Sequence, residues 1–179
     1  MTRLSAATLE RLPDGIARSR CDRMALRTGI VHLGLGAFHR AHMAALTDDC
    51  LNAGALDWGI TAASLRSPDT RDALAPQDGL YTLALREGDA QSLRVIGAIR
   101  QTLVAPEDPK ALLSAMTDPA VRIVSLTVTE KGYSADVASG DLKLDDPGVQ
   151  HDLAQPDTPV TAPSAAAACP GAGAPPCPV

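Results

Sequence analysis

The sequence predicts an α/β fold built on a parallel sheet. Short apolar segments of strand length alternate along the chain with segments of helical period, which is the pattern of βαβ units. The first apolar segment, residues 30–33, ends in two glycines, Gly34 and Gly36, and then runs directly into a helix-compatible segment. Two later apolar segments, residues 58–65 and 121–128, read as further parallel strands. This arrangement is typical of a Rossmann-like dinucleotide-binding domain.

The glycine turn carries the first candidate site. Two glycines spaced by one residue permit a tight turn and a close approach to a phosphate, and the N–H groups of the following helix face the anion. The usual fingerprint has a third glycine or alanine where this chain has His39, a change that retains the phosphate turn and alters the packing behind it. The cofactor-binding candidates in this segment are Gly34, Leu35, Gly36, Ala37, Phe38 and His39.

A second candidate cofactor-binding segment follows the strand at 58–65. The acid that binds the adenosine ribose of a dinucleotide must follow the carboxyl end of this strand. Asp57 has the usual spacing but precedes the strand, so Asp69 is the better candidate, although Ser67 and Asp69 also suit a helix start. Arg66 could instead pair with the extra phosphate of NADP, whereas an acid here favours NAD.

The strand at 121–128 is expected in the interior of the sheet. It leads to Thr129, Glu130 and Lys131, and ligands of open α/β sheets bind at the carboxyl edge where such residues lie. A solvated turn closed by Gly132 fits the same residues equally well.

Hydrophobic period and helix start residues predict the remaining elements. These are an amphipathic helix at 4–12, a helix at 38–52, an inserted β-hairpin with strands at 80–86 and 93–103, and a helix that begins after Asp108 and buries Leu112. The helix at 38–52 is expected to bury Met43, Leu46 and Cys50 on one stripe.

Composition narrows the function classes. The 179 residues are 45% hydrophobic and can form one ordinary core, and a net charge of −5 gives no reason to expect nucleic acid or an anionic membrane as partner. Neither a signal peptide nor a membrane span is evident, which favours the cytoplasm. The four cysteines have no metal-site spacing, and His39 and His42 lack a third ligand nearby, so no metal site is predicted.

Three stretches resemble one family. Residues 34–42 (GLGAFHRAH), 64–83 (SLRSPDTRDALAPQDGLYTL) and 125–133 (SLTVTEKGY) are similar to the corresponding motifs of the mannitol dehydrogenase and fructuronate reductase family. The resemblance implies NAD as cofactor and hydride transfer between it and a polyol, a ketose or a hexuronate. It also implies that Thr129, Glu130 and Lys131 lie beside the nicotinamide, without Lys131 being the catalytic lysine.

The resemblance implies an incomplete domain. It extends to about residue 162, so residues 1–162 are interpreted as a partial NAD-binding domain. Residues 163–179 contain only Ala, Pro, Gly, Cys, Ser and Val and are expected to form a disordered tail. This composition is what translation of a GC-rich gene in the wrong reading frame would give.

Catalysis in the resembled family depends on a Lys-x-x-x-Asn-x-x-His pattern in a carboxyl-terminal domain. No such pattern occurs in this sequence, so the chain alone is expected to bind cofactor without turnover. The alternative is a non-catalytic nucleotide-binding or interaction module. A methyltransferase that uses S-adenosylmethionine also has a glycine turn, but the motifs at 64–83 and 125–133 disfavour it.

Overall fold

The computed structural model describes residues 3–127, 134–136 and 138–155. The chain divides into two compact units, with the boundary between Thr127 and Val128. The strands of the first unit are β1 (Ile16–Ala17), β2 (Thr28–Leu33), β3 (Gly59–Ser64), β4 (Tyr81–Glu87), β5 (Ala90–Ile96), β6 (Ile99–Val104) and β7 (Ile123–Leu126). Its α-helices are α1 (Ala37–Ala41), α2 (Met43–Asn52), α3 (Asp69–Leu74) and α4 (Pro109–Met116).

The main sheet is parallel throughout and has the strand order β6-β3-β2-β7. Chain order along this sheet reverses at β2, because β3 and β6 lie on one side of it and β7 lies on the other. This is the order of the first half of the doubly wound nucleotide-binding fold. The predicted Rossmann-like α/β class is therefore confirmed, and the β2–β7 junction is the topological switch point at which such sheets bind ligands.

A second sheet, β1-β5-β4, contains the inserted hairpin that the sequence predicts. The prediction of one strand over 93–103 was wrong, because the chain bends after β5 and β6 joins the parallel sheet beside β3. Gly97 occupies the bend, where its N–H donates to the Asp48 carboxylate at 2.8 Å and an added Cβ would come within 2.8 Å of the Ser19 hydroxyl. A continuous non-polar run, residues 95–99, passes through the bend and conceals it.

The helix predicted at 38–52 is interrupted at His42, whose φ of −115° and ψ of −80° end α1 and precede α2. The predicted buried stripe was wrong at two of its three residues, because Leu46 is 68% exposed and Cys50 is exposed, whereas Met43 is partly buried and packs against the core. The residues of α2 that face the interior are instead Ala44, Ala45, Thr47, Asp48 and Leu51. With Phe38 and Trp58, the expected stripe lines an open apolar groove of about 520 Å³.

The core of the first unit lies between α2 and one face of the parallel sheet. Its central members are small or branched apolar residues, as a tightly packed helix–sheet interface requires. They include Ile30, Ala44, Ala45, Leu51, Ile60, Ala62, Ile96 and Ile99. This packing fixes α2, and with it α1, relative to the carboxyl edge of the sheet.

The remaining elements agree in part with the sequence. Asp108 caps α4 by accepting from the Ala111 N–H at 2.8 Å, and Leu112 is buried, as predicted. The helix expected at 4–12 is a short 3₁₀ helix, Ala6–Arg11. β7 was expected in the interior of the sheet, but it is the edge strand of the described part, where it pairs with β2 alone.

The second unit contains one helix among its described residues, α5 (Pro147–Ala154). Asp146 caps it by accepting from the N–H groups of Gly148 and Val149. The sequence pattern does not predict this helix, and the tail predicted at 163–179 lies outside the described residues. Across the part of the chain that the structure describes, every helix is too short or too polar to cross a membrane.

Candidate cofactor-binding site

The glycine turn lies at the carboxyl end of β2, on the switch point. Gly34 has a φ of +103°, which strains other L-residues, and an added Cβ would lie 3.4 Å from the carbonyl oxygen of Thr127 at the end of β7. Gly36 has an ordinary φ of −86°, and the atom nearest to an added Cβ would be the Gly34 oxygen at 3.9 Å. Gly34 is therefore required by the backbone, whereas Gly36 leaves open space beside the turn.

The turn uses its own backbone donors internally. The N–H groups of Gly34 and Leu35 donate to the carbonyl oxygen of Ala63 on β3, at 2.8 and 3.3 Å, and the Gly36 N–H donates to Gly34 at 2.6 Å. The backbone hydrogen bonds of α1 begin only with the Arg40 N–H, which donates to Gly36 at 3.2 Å. The available donors are thus the first-turn N–H groups of Ala37, Phe38 and His39.

Arg40 adds a cation to this turn. Its guanidinium donates to the carbonyl oxygen of Leu35 at 2.9 Å, and its own carbonyl accepts from the buried Tyr81 hydroxyl at 2.6 Å. Burial raises the pKa of Tyr81, so the hydroxyl remains a donor at neutral pH. Arg40 was not among the candidates from the sequence, although a basic residue in the first turn after a glycine turn is a usable signal for anion binding.

Two histidines are buried behind the turn. His32, on β2, is 2% exposed and His39, on α1, is 1% exposed, and their rings stack at 3.6 Å. Burial, together with the neighbouring His32 and Arg40, lowers the pKa of His39 to about 3, and burial also lowers that of His32. His32 is a further residue that is not among the sequence candidates, and the signal for it is a polar residue inside an apolar strand.

Asp69 and Arg66 follow the carboxyl end of β3, at the same edge of the sheet as the glycine turn. Both side chains are exposed. Asp69 is the first residue of α3, and one of its carboxylate oxygens accepts from the Ser67 hydroxyl at 2.8 Å. Ser67 does not cap α3, because the residue before the helix is Pro68. Asp57 lies at the opposite edge, where it pairs with Arg122, and this ion pair lowers the pKa of Asp57.

Thr129, Glu130 and Lys131, the third group of candidates, lie outside the described residues. Within the residues that the structure describes, no three His, Cys, Asp or Glu side chains are grouped so that they could hold a metal ion. His39 is buried while His42 is exposed and stacks on Phe38 at 4.4 Å.

Comparison with known proteins decides the family. The family model of the mannitol dehydrogenase Rossmann domain matches residues 28–169. The chain belongs to the mannitol dehydrogenase family. The match includes the parallel sheet, the glycine turn and the residues after β3.

Relatives within the mannitol dehydrogenase family are considerably longer. D-Mannonate oxidoreductase of Escherichia coli strain K12 is 43% identical over 151 residues, which are 82% of this chain and 31% of that protein. Mannitol 2-dehydrogenase of Cereibacter sphaeroides is 45% identical over 150 residues, again 82% of this chain and 31% of that protein. The chain therefore spans about a third of the length of the curated relatives it matches.

A solved structure agrees with the fold. Mannitol 2-dehydrogenase of Pseudomonas fluorescens, in a ternary complex with NAD and D-mannitol, superposes with a TM-score of 0.83 at 40% sequence identity. The match covers 97% of this chain and 37% of that one.

Proposed function

We propose that this chain is the cofactor-binding part of an NAD-dependent oxidoreductase that transfers hydride between nicotinamide and a polyol or hexuronate. The observation that supports it most directly is the glycine turn at the β2–β7 switch point, with the first-turn donors of α1 and the Arg40 cation beside it. That edge of an open α/β sheet is where dinucleotides bind. The NAD in the structure of the P. fluorescens relative is consistent with this role.

The residues have distinct roles in this proposal. The N–H groups of Ala37, Phe38 and His39 donate to the pyrophosphate, while Gly34 and Gly36 allow it to come close. Asp69 accepts from the adenosine ribose hydroxyls through the carboxylate oxygen that does not bond Ser67.

Three further residues, Thr129, Glu130 and Lys131, are proposed on the nicotinamide side. This assignment follows from the family resemblance of residues 125–133. The cofactor supplies the hydride chemistry, and these residues would bind and orient it.

NADH titration of the Gly36→Val variant tests the site. The valine fits the open space beside Gly36, so the fold should persist, but its side chain occupies the approach of the pyrophosphate. We expect calorimetry to show NADH binding by the parent chain and a loss of at least about 100-fold in affinity for the variant.

Ala90→Val provides the matched control. It adds similar bulk at an exposed position on the inserted hairpin and should bind NADH like the parent. Equal binding by Gly36→Val and the parent would exclude the glycine turn as the phosphate site. A parent chain that binds no NADH would refute the proposed function itself.

A further inference from the structure

The stacked histidines occupy a position that is normally small. His39 stands where the usual dinucleotide fingerprint has glycine or alanine, which lets the helix pack closely on the first strand. Its ring lies nearly parallel to that of His32, with 9° between the planes and 3.6 Å between the centroids. The two stacked rings therefore fill the space between α1 and β2 that a glycine or alanine would leave.

His32 bridges the switch point through both ring nitrogens. Its Nδ1 lies 2.9 Å from the Ser125 hydroxyl and its Nε2 lies 3.0 Å from the Thr127 hydroxyl, both on the β7 side. When the Ser125 hydroxyl donates to the sulfur of Met43, which lies 3.7 Å away, it accepts from the Nδ1–H of His32. The Nε2 of His32 then accepts from Thr127, which defines a neutral tautomer.

His39 acts through the face of its ring. Among the described residues neither of its ring nitrogens has a hydrogen-bond partner, and the ring is 1% exposed. Burial holds its pKa far below neutrality, so the stacked rings carry no charge at pH 7. A buried ring with no polar contacts contributes shape, and phenylalanine would supply the same shape.

We infer that His32 and His39 are positioning residues of the proposed cofactor site. Their stack joins α1, which carries the phosphate donors, to the end of β7 across the switch point. The stack thereby fixes the distance between the glycine turn and Thr127, which lie on opposite sides of the crevice in which the cofactor is proposed to bind. The inference rests on the proposed NAD binding and adds a role for the two imidazole side chains, which need not touch the cofactor.

The first test compares two replacements of His39 for NADH affinity. His39→Ala deletes the stack and should weaken NADH binding about tenfold, which is the coupling expected between packed neighbours. His39→Phe retains a flat ring and should bind within about twofold of the parent. The matched control is His151→Ala, which removes a half-buried ring of α5 that has no role in the proposed site and should leave affinity unchanged. Circular dichroism confirms that each variant is folded.

A double-mutant cycle separates positioning from general destabilisation. Thr127→Val removes the hydroxyl that bonds His32 while retaining side-chain volume at an exposed position, and should weaken NADH binding about threefold. If the stack and Thr127 act as one unit, the His39→Ala, Thr127→Val double variant binds no more weakly than His39→Ala alone. If the fold-losses in NADH affinity of the two single variants multiply in the double variant, the inference is overturned. Should His39→Ala fail to fold, the affinity of Thr127→Val decides, and an unchanged value overturns it.

Nitrogen-15 spectra of the imidazole groups test the pair without cofactor. We expect His32 and His39 of the parent to be neutral at pH 6, with His32 in the Nδ1–H tautomer, and Thr127→Val to shift the Nε2 signal of His32. A parent that binds NADH while His39→Ala binds equally well overturns the inference alone. A parent that shows the neutral pair but binds no NADH overturns the proposed function, and the positioning role with it.

Discussion

His39 makes folding sensitive to acid. The folded chain does not protonate this side chain until the pH approaches about 3, whereas an unfolded chain protonates it below about 6.5. The unfolded state therefore binds more protons between these values, so the contribution of His39 to stability is complete above pH 6.5 and is lost as the pH falls toward 3. His32 acts in the same direction because burial also lowers its pKa.

His39→Phe should reduce this acid sensitivity. Urea unfolding measures the free energy of unfolding at each pH between 7 and 4. This free energy should fall more steeply for the parent than for the variant, by up to about 1.4 kcal/mol per pH unit. His42→Phe, at an exposed position, should leave the decline as it is. Equal slopes for the parent and His39→Phe would show that His39 is not buried in its neutral form.

Asp69 should set the cofactor preference. Asp69→Ala removes a charged acceptor of the ribose hydroxyls and the repulsion of a 2′-phosphate, while Arg66 remains beside it. The ratio of NADH to NADPH affinities should move about tenfold toward NADPH, as the loss of one charged hydrogen bond implies. The same calorimetric comparison on Asp72→Ala, one turn further along α3, should show no shift. An unchanged ratio for Asp69→Ala would show that Asp69 does not contact the ribose and that its hydrogen bond with Ser67 is structural only.

At the scale of elements, one carboxylate joins α2 to the inserted hairpin. Asp48 is 1% exposed and accepts from the Ser19 hydroxyl and the Gly97 N–H, both at 2.8 Å. It also pairs with Arg94 of β5 at 3.2 Å. The bend that separates β5 from β6 is therefore held by a helix residue that lies 49 positions away in the chain.

Asp48→Ala should destabilise the fold by about 3 kcal/mol, because it leaves buried donors without an acceptor. Thermal melting followed by circular dichroism measures the loss. Asp49→Ala is the matched control, since Asp49 is exposed and pairs with the same arginine, and it should cost less than about 1 kcal/mol. Similar losses for both variants would mean that the Asp48 contacts do not stabilise the hairpin.

Local patterns predicted most elements, and non-local contacts explain the errors. The glycine turn, the parallel strands and the Asp108 cap each have a signature within a few residues. The bend at Gly97 lacks one, because it depends on a contact with Asp48, which lies 49 positions away in the chain. The break at His42 also has no local signature. Apolar residues at helical spacing in α2 predicted burial, but the alanines on its other face pack more closely on the sheet.

The candidate site was predictable where the backbone alone defines it. Gly34 and the first turn of α1 follow from the motif, whereas the internal use of the Gly34 and Leu35 donors follows only from the position of Ala63 on β3. The pairing of His32 with Thr127 requires β7 beside β2, which is a property of strand order.

At the scale of the whole molecule, cofactor binding and catalysis should separate. Oxidation of an alcohol at nicotinamide needs a positioned base, and the sequence has no Lys-x-x-x-Asn-x-x-His pattern of the kind implied for the family. We expect the purified chain to bind NADH but to show no absorbance change with NADH and fructose or fructuronate, or with NAD and mannitol or mannonate. The Gly36→Val variant, prepared identically, controls for contaminating dehydrogenase. Turnover by the parent alone would place a proton-transfer group within this chain.

The two edges of the parallel sheet carry different groups of residues. The glycine turn and Asp69 lie at the carboxyl edge, while Arg122 at the amino edge pairs with Asp57 and covers the ring of Trp58 at 4.7 Å. A six-residue parallel strand such as β2 separates these edges by about 20 Å. Protein engineering can use this separation, because substitutions that raise thermal tolerance can be selected around Arg122 without disturbing cofactor recognition.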